Sequence, residues 1–156
     1  MKKRYALAVA CLCVAGVQRA SALEQSDGIY QLGNALDLID FAGVVNGGLS
    51  SAQAVITADI DLSGSSFTPI GNTLMPFRGV LDGQGHTITN YHYESAAESE
   101  GFIGSLYGGT VENLTIEGTL VAKNGQTGFV GVADAGAVVR NIVSRLNVAC
   151  QNTGHC

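Results

Sequence analysis

Tryptophan is absent from this chain of 156 residues, which has two prolines and only eight Lys and Arg residues against 13 Asp and Glu. The apolar run from Tyr5 to Val17 has 13 residues, fewer than the roughly 20 that span a bilayer. What the chain does have is 21 glycines and 46% hydrophobic residues. That composition is typical of many short strands joined by tight turns, and it argues against disorder.

The first 22 residues have the features of a bacterial signal peptide. Lys2, Lys3 and Arg4 form a basic start, the apolar run follows, and Ala20-Ser21-Ala22 has the small-x-small form of a cleavage site. We therefore predict a secreted or cell-surface protein whose mature part begins near Leu23. A lipoprotein modified at Cys11 is the alternative.

Without this leader, four basic residues remain against all 13 acidic ones, so the mature net charge is −9. Such an acidic chain disfavours phosphate backbones and anionic membranes. It contains no basic patch or aromatic stacking platform to offset the charge. We expect neither nucleic-acid binding nor membrane insertion of the mature chain.

Two cysteines belong to the leader and would be removed with it, so Cys150 and Cys156 remain near the end of the chain. In an oxidising compartment the two form a candidate disulfide that closes a tail over residues 149–156. A zinc site with His155 is the alternative, but it offers only three ligands. We predict no metal and no cofactor.

Residues 23–52 are predicted to form a short strand, Gly28 to Leu32, and one helix. Asn34 has the position of an N-cap, and Asn46-Gly47-Gly48 ends the helix. The apolar residues at helical spacing between them are Leu36, Ile39, Phe41, Ala42 and Val45. We expect this helix to cap one end of a repeat array.

Residues 53–148 contain three copies of a short pattern, in which Phe-x-Gly is followed about a dozen residues later by Asn and an apolar residue. The copies begin at Phe77, Phe102 and Phe129, a spacing inside the range of roughly 20–50 residues that marks a solenoid repeat. Such repeats form stacked coils, because one coil cannot bury its own apolar face. The predicted fold is therefore all-β, a short right-handed parallel β-helix of about three coils.

Stacking one predicted coil on the next defines inward columns and a polar corner. The columns contain Phe77, Phe102 and Phe129, then Ile88, Val111 and Val138 or Val139, then Tyr91, Leu114 and Ile142. Beside them we predict a ladder of Asn90, Asn113 and Asn141, whose amides hydrogen-bond between coils and whose backbone tolerates a left-handed corner.

Several segments, taken in their order along the chain, resemble bacterial surface proteins that carry the GLUG motif. They are Asp59 to Leu62, Phe67 to Gly71, Phe77 to Ile88, Gly101 to Gly104 and Gly109 to Leu114. The resemblance implies a parallel β-helix in a secreted, adhesin-like protein. It implies no catalytic residues.

An enzyme that cleaves acidic polysaccharides is the alternative function. It would need two or three convergent carboxylates, and the candidates are Asp59, Asp61 and Asp82. No cluster of Arg or Lys is present to bind a uronate, so we favour a noncatalytic module for adhesion or assembly. Its expected partners are a protein or glycan surface, or further β-helix coils of a partner chain.

Overall fold

A computed structural model describes residues 23–94, 100–122 and 127–150 of the chain. The predicted leader and the candidate disulfide of Cys150 with Cys156 involve residues outside these ranges. The elements in chain order are β1 (Gln25–Ser26), β2 (Ile29–Leu32), α1 (Ala35–Asn46), β3 (Gln53–Ile56), β4 (Ile60–Asp61), β5 (Val80–Asp82), β6 (Thr87–Glu94), β7 (Gly101–Tyr107), β8 (Thr110–Ala122), β9 (Gly128–Asp134) and β10 (Val138–Cys150).

Five parallel strands stacked in register form one wall of the molecule, which we call face A. Ile29 pairs with Gln53, Gln53 with Val80, Val80 with Thr110, and Thr110 with Val138. Each step takes the chain forward by one coil, and every step lies within the roughly 20–45 residues of known solenoid repeats. The protein is a β-solenoid of about four turns. The predicted solenoid is confirmed, but β2 belongs to it, so it has one coil more than the sequence pattern indicated.

Two further walls complete each coil. Face B contains β4, β6 and the later parts of β8 and β10, in which Ile60, Ile88, Ile116 and Ser144 follow one another in successive coils. Face C contains β7 and β9, and single bridges join it to Ile70 and Phe77 in the coil below. The strands β8 and β10 are long because each runs around the corner between faces A and B.

Apolar columns fill the interior. Leu81 and Val111 stack on Ala54, and all three are at most 1% exposed. On face C the rings of Phe67, Phe102 and Phe129 stack, with centroids 5.2 and 5.7 Å apart and planes within 9° and 19° of parallel. Because a coil cannot shield this interior alone, its neighbours supply most of the burial.

The predicted aromatic column was wrong in its first member. Ile70 pairs with Ile103, so Phe67 and not Phe77 lies below Phe102. Phe77 pairs instead with Leu106, further along the same face. The error arose because Phe67 and Ile70 are separated by Thr68 and Pro69, whereas Phe102 and Ile103 are adjacent. The alignment of the Phe-x-Gly triplets therefore placed Phe77 in the column below Phe102, where Phe67 lies.

The other columns differ from the prediction in their first members, while Val139 over Val111 and Ile142 over Leu114 lie as predicted. Ile88 lies on face B between Ile60 and Ile116, away from Val111 on face A. Tyr91 pairs with Gly118, so it does not lie below Leu114. Both errors have one cause, because the alignment of Asn90 with Asn113 set an offset of 23 residues, whereas the pairing offset is 28 at Ile88 and 27 at Tyr91.

Helix α1 begins and ends as predicted. The Asn34 side chain accepts hydrogen bonds from the backbone N–H groups of Leu36 and Asp37, at 2.9 and 3.1 Å. Its buried face contains Leu38, Phe41, Ala42 and Val45, whereas Leu36, which we expected on that face, is 51% exposed.

The helix covers the N-terminal end of the solenoid. The Phe41 ring packs edge-on against Tyr30 and Phe77, at centroid distances of 5.6 and 6.0 Å. At its last residue the Asn46 amide donates to the carbonyl of Pro69 and accepts from the N–H of Gly71, each at 3.0 Å. The predicted cap is therefore held by both apolar and polar contacts. In the described ranges no helix is both long and apolar enough to cross a bilayer.

One buried hydroxyl lacks a partner. Tyr91 is 1% exposed, and its hydroxyl oxygen has no hydrogen-bond partner in the described part of the chain. Its ring packs against Phe67 and Phe102, and burial raises the pKa of the phenol. An unsatisfied buried polar group costs about 1–3 kcal/mol.

We predict that Tyr91→Phe stabilises the fold, because it keeps the ring contacts and removes the unpaired hydroxyl. The free energy of unfolding from urea denaturation should rise by about 1 kcal/mol or more. Tyr107→Phe is the matched control, since Tyr107 is 39% exposed and water reaches it. A loss of stability in Tyr91→Phe would contradict the unpaired hydroxyl.

Candidate interaction surface

A polar ladder runs up the corner between faces A and B. The Asn113 amide donates to the Asp82 carboxylate at 3.0 Å, and the Asn141 amide donates to Asn113 at 2.9 Å. Asn90, Asn113 and Asn141 all have left-handed backbone, with φ of 56°, 54° and 52°. Asn tolerates this conformation better than most residues. The corner therefore has the predicted chemistry, with Asp82 as its first member.

Asn90 does not belong to this ladder, so that part of the prediction was wrong. Its amide donates to the Asp61 carboxylate at 2.8 Å, at the irregularity in the middle of β6. The step along the chain from Asn90 to Asn113 is shorter than the coil at this level, which runs from Ile88 to its partner Ile116. Between Ile88 and Tyr91 the pairing register shifts, because β6 has one residue more there than β8 has between Ile116 and Gly118.

We predict that Asn113→Ala and Asn113→Gly separate the two roles of this residue. Both variants lose the ladder hydrogen bonds, each worth about 0.5–1.5 kcal/mol. Only alanine also strains the left-handed backbone, at a further cost of about 1–2 kcal/mol. Chemical denaturation should rank stability as wild type, then Asn113→Gly, then Asn113→Ala. Equal stability of the two variants would remove the backbone explanation.

The three aspartates of the alternative acidic site each hold a turn of the scaffold. Asp59 accepts from the N–H of Thr87 at 2.9 Å and lies 3.1 Å from Nδ1 of His86. Asp61 accepts from the N–H of Ser63 and the amide of Asn90, and Asp82 from the N–H of Gln84 and the amide of Asn113. No group of three or more His, Cys, Asp or Glu in the described ranges could hold a metal ion.

The contacts of Asp59 and Asp61 favour their ionised forms. The Thr87 N–H, followed by His86, lowers the pKa of Asp59 below its usual value of 3.8. The Asn90 amide, followed by Ser63, lowers the pKa of Asp61. A general acid in glycan cleavage needs the opposite shift, because it must keep its proton near neutral pH.

We predict that Asp61 contributes to the acid sensitivity of the fold. A folded-state pKa below the unfolded value of 3.8 adds stability above that pH, which is lost as the pH falls through the folded pKa. Asp61→Asn should therefore show a smaller drop in unfolding free energy between about pH 4 and pH 2. Glu24→Gln, at an exposed position, is the control and should keep the wild-type drop.

Ion pairs connect the last two coils on the outside. Arg140 pairs with Glu112, and Arg145 with Glu117, each from one coil to the next. The hydrogen bond that Arg140 donates to the Glu112 carboxylate, and then the negative charge of Glu112, raises the pKa of Arg140. Arg78, one coil below, stacks 4.3 Å from the ring centre of Tyr107. These arginines hold neighbouring coils together, so they do not form a groove that would bind an acidic glycan.

A shallow cleft lies beside the helix cap. It has a volume of about 410 Å³, and its lining consists of Gln25, Gly28, Tyr30, Gly48, Leu49, Ser50, Ser51 and Ala52. No acidic or basic side chain lines it. The cleft lining therefore offers no carboxylate pair for glycan cleavage and no cation to bind a uronate.

The last described coil leaves apolar positions of the solenoid exposed. We call the outer side of β9 and β10 the terminal face, because within the described chain each strand pairs on one side only. Val139 is 43% exposed although Val111 below it is 0% exposed, and Val148 is 41% exposed above Leu120 at 0%. Phe129 and Ile142, predicted as core, are only partly buried for the same reason.

The comparisons with known proteins give one relative at the level of sequence. The chain is 33% identical over 127 residues to halomucin of Haloquadratum walsbyi, a match that covers 72% of this chain and 1% of that protein. This chain thus spans about one hundredth of the length of its relative. No protein-family model matches the chain. No solved structure gives a significant match.

Proposed function

We propose that the chain is a noncatalytic β-solenoid module of a secreted or cell-surface protein, and that it acts in adhesion or assembly. The observation that carries this proposal is that the charged side chains considered for catalysis or glycan binding are bound within the scaffold. Asp59, Asp61, Asp82, Arg140 and Arg145 all bind neighbouring coils or turns. What remains is a rigid rod with regularly spaced outer side chains.

Three further observations support export and surface display. The sequence begins with a basic, then apolar segment of signal-peptide form. The similarity to halomucin is compatible with a surface module of a much larger protein. The resemblance to GLUG-motif surface proteins, which we also retain as a proposal, points to the same class.

Rigid display provides the mechanism. Coils stacked at strand spacing, about 4.8 Å, hold the outer side chains of faces A, B and C at fixed intervals. A rigid array loses little conformational freedom on binding. Many weak contacts to a glycan or protein surface can then act together, as in other multivalent systems.

The export step is tested with the leader alone. Residues 1–22 are fused to a reporter enzyme that is active only outside the cytoplasm, and a second fusion replaces Lys2, Lys3 and Arg4 with glutamate. We expect active reporter from the first fusion and much less from the second, because the basic start orients the leader. Reporter retained inside the cell would contradict the localisation.

The noncatalytic part of the proposal is tested with the triple variant Asp59→Ala, Asp61→Ala and Asp82→Ala. We predict that it unfolds at lower denaturant than the wild type, because three corners lose hydrogen bonds worth about 0.5–1.5 kcal/mol each. Wild-type protein incubated with acidic polysaccharides should release no reducing ends and no unsaturated products. Cleavage by the wild type, lost in a stably folded triple variant, would establish the enzyme instead.

A further inference from the structure

The terminal face is the main exposed apolar region of the described chain. Ten large hydrophobic residues in the described ranges are exposed, and half of them belong to this coil. They are Val132, Val138, Val139, Val143 and Val148. Phe129, Val130, Ile142 and Leu146, also on this coil, are only partly buried against the core. Val139 and Val148 stack on the buried residues Val111 and Leu120, and exposed apolar side chains beside unpaired strand edges mark an interaction site.

The opposite end of the solenoid is closed. Helix α1 places Leu38, Phe41 and Val45 over the core there, and β1, the outermost strand, has two residues. A short edge strand and a covering helix are the features that block edge-to-edge pairing. Two copies therefore cannot join head to tail through their cores, and contact between two terminal faces is the arrangement that remains. Such a contact is two-fold symmetric and closes at two copies.

Charge opposes contact between two copies less at this face than elsewhere on the chain. The mature chain has a net charge of −9, yet residues 127–150 contain Arg140, Arg145 and only one acidic residue, Asp134. Both arginines are already paired with glutamates of the coil below. The terminal coil is thus the part of an otherwise acidic molecule where two copies repel each other least.

Ser144 argues against a further parallel coil as the occupant. It occupies the place of the aliphatic column on face B, above Ile60, Ile88 and Ile116. A coil added in the same register would shut this hydroxyl between two apolar layers, which costs free energy when the hydroxyl has no partner. A hydroxyl both donates and accepts, so the same group from a second copy can satisfy it.

We propose that two copies of this chain associate through their terminal faces, with the free edges of β9 and β10 meeting antiparallel across a two-fold axis. This inference deepens the assembly part of the proposed function. Its failure would leave export and noncatalytic display untouched, because those have their own tests.

The test is sedimentation equilibrium on the chain from Leu23 to Cys156, which contains every described residue, with reducing agent present so that no disulfide can join the copies. We expect a reversible monomer–dimer equilibrium. Val139→Lys and Val148→Lys should each raise the dissociation constant at least about tenfold, because charge at a strand edge prevents pairing. Leu36→Lys, on the exposed side of α1, is the matched control and should leave it unchanged.

Hydrogen exchange on the wild type provides a measurement that does not depend on the variants. Amides of β9 and β10 should exchange more slowly as protein concentration rises, while those of β2 and β3 stay constant. The proposal is overturned by a chain that stays monomeric, by assemblies larger than two, or by equal loss in the Leu36→Lys control. Protection that does not change with concentration at β9 and β10 would also overturn it, even if the lysine variants fail to fold.

Discussion

Register between coils is the constraint on which this architecture rests. Each inward residue lies directly over the residue one coil earlier, so the apolar character of a position must recur once in every coil. Ile60, Ile88 and Ile116 meet this requirement on face B, and Phe67, Phe102 and Phe129 meet it on face C. Because parallel stacking satisfies backbone and core at once, the chain needs little else to hold it together.

The corners meet a different requirement. A chain that turns sharply exposes backbone groups and adopts left-handed conformations, and this protein places Asn or Asp at those points. Asp82, Asn113 and Asn141 bind one another between coils, while Asp61 and Asn90 do the same at the next corner. The carboxylates that first looked like candidates for catalysis are used in this way, which is why the fold and the proposed noncatalytic function agree.

The two ends of the solenoid differ in a way that bears on assembly. At the first end an amphipathic helix replaces the missing neighbour, and Asn46 ties it to the backbone of Pro69 and Gly71. At the last described coil the apolar columns remain open and the strand edges are free. Contact through the last described coil alone would join two copies without growing into a filament.

The sequence alone determined the solenoid class, the capping helix and the left-handed asparagines, because these follow from repeat length, apolar periodicity and local turn chemistry. Tertiary structure decided which residues stack. Phe67 lies in the position predicted for Phe77, Asn90 binds Asp61 outside the ladder, and β2 pairs with β3 as part of the first coil. Corner lengths vary from coil to coil, and a residue more or less at a corner changes the sequence spacing between stacked partners, which is 30 for Val80 and Thr110 but 28 for Ile88 and Ile116. That offset is set by packing between coils, which a local pattern does not contain.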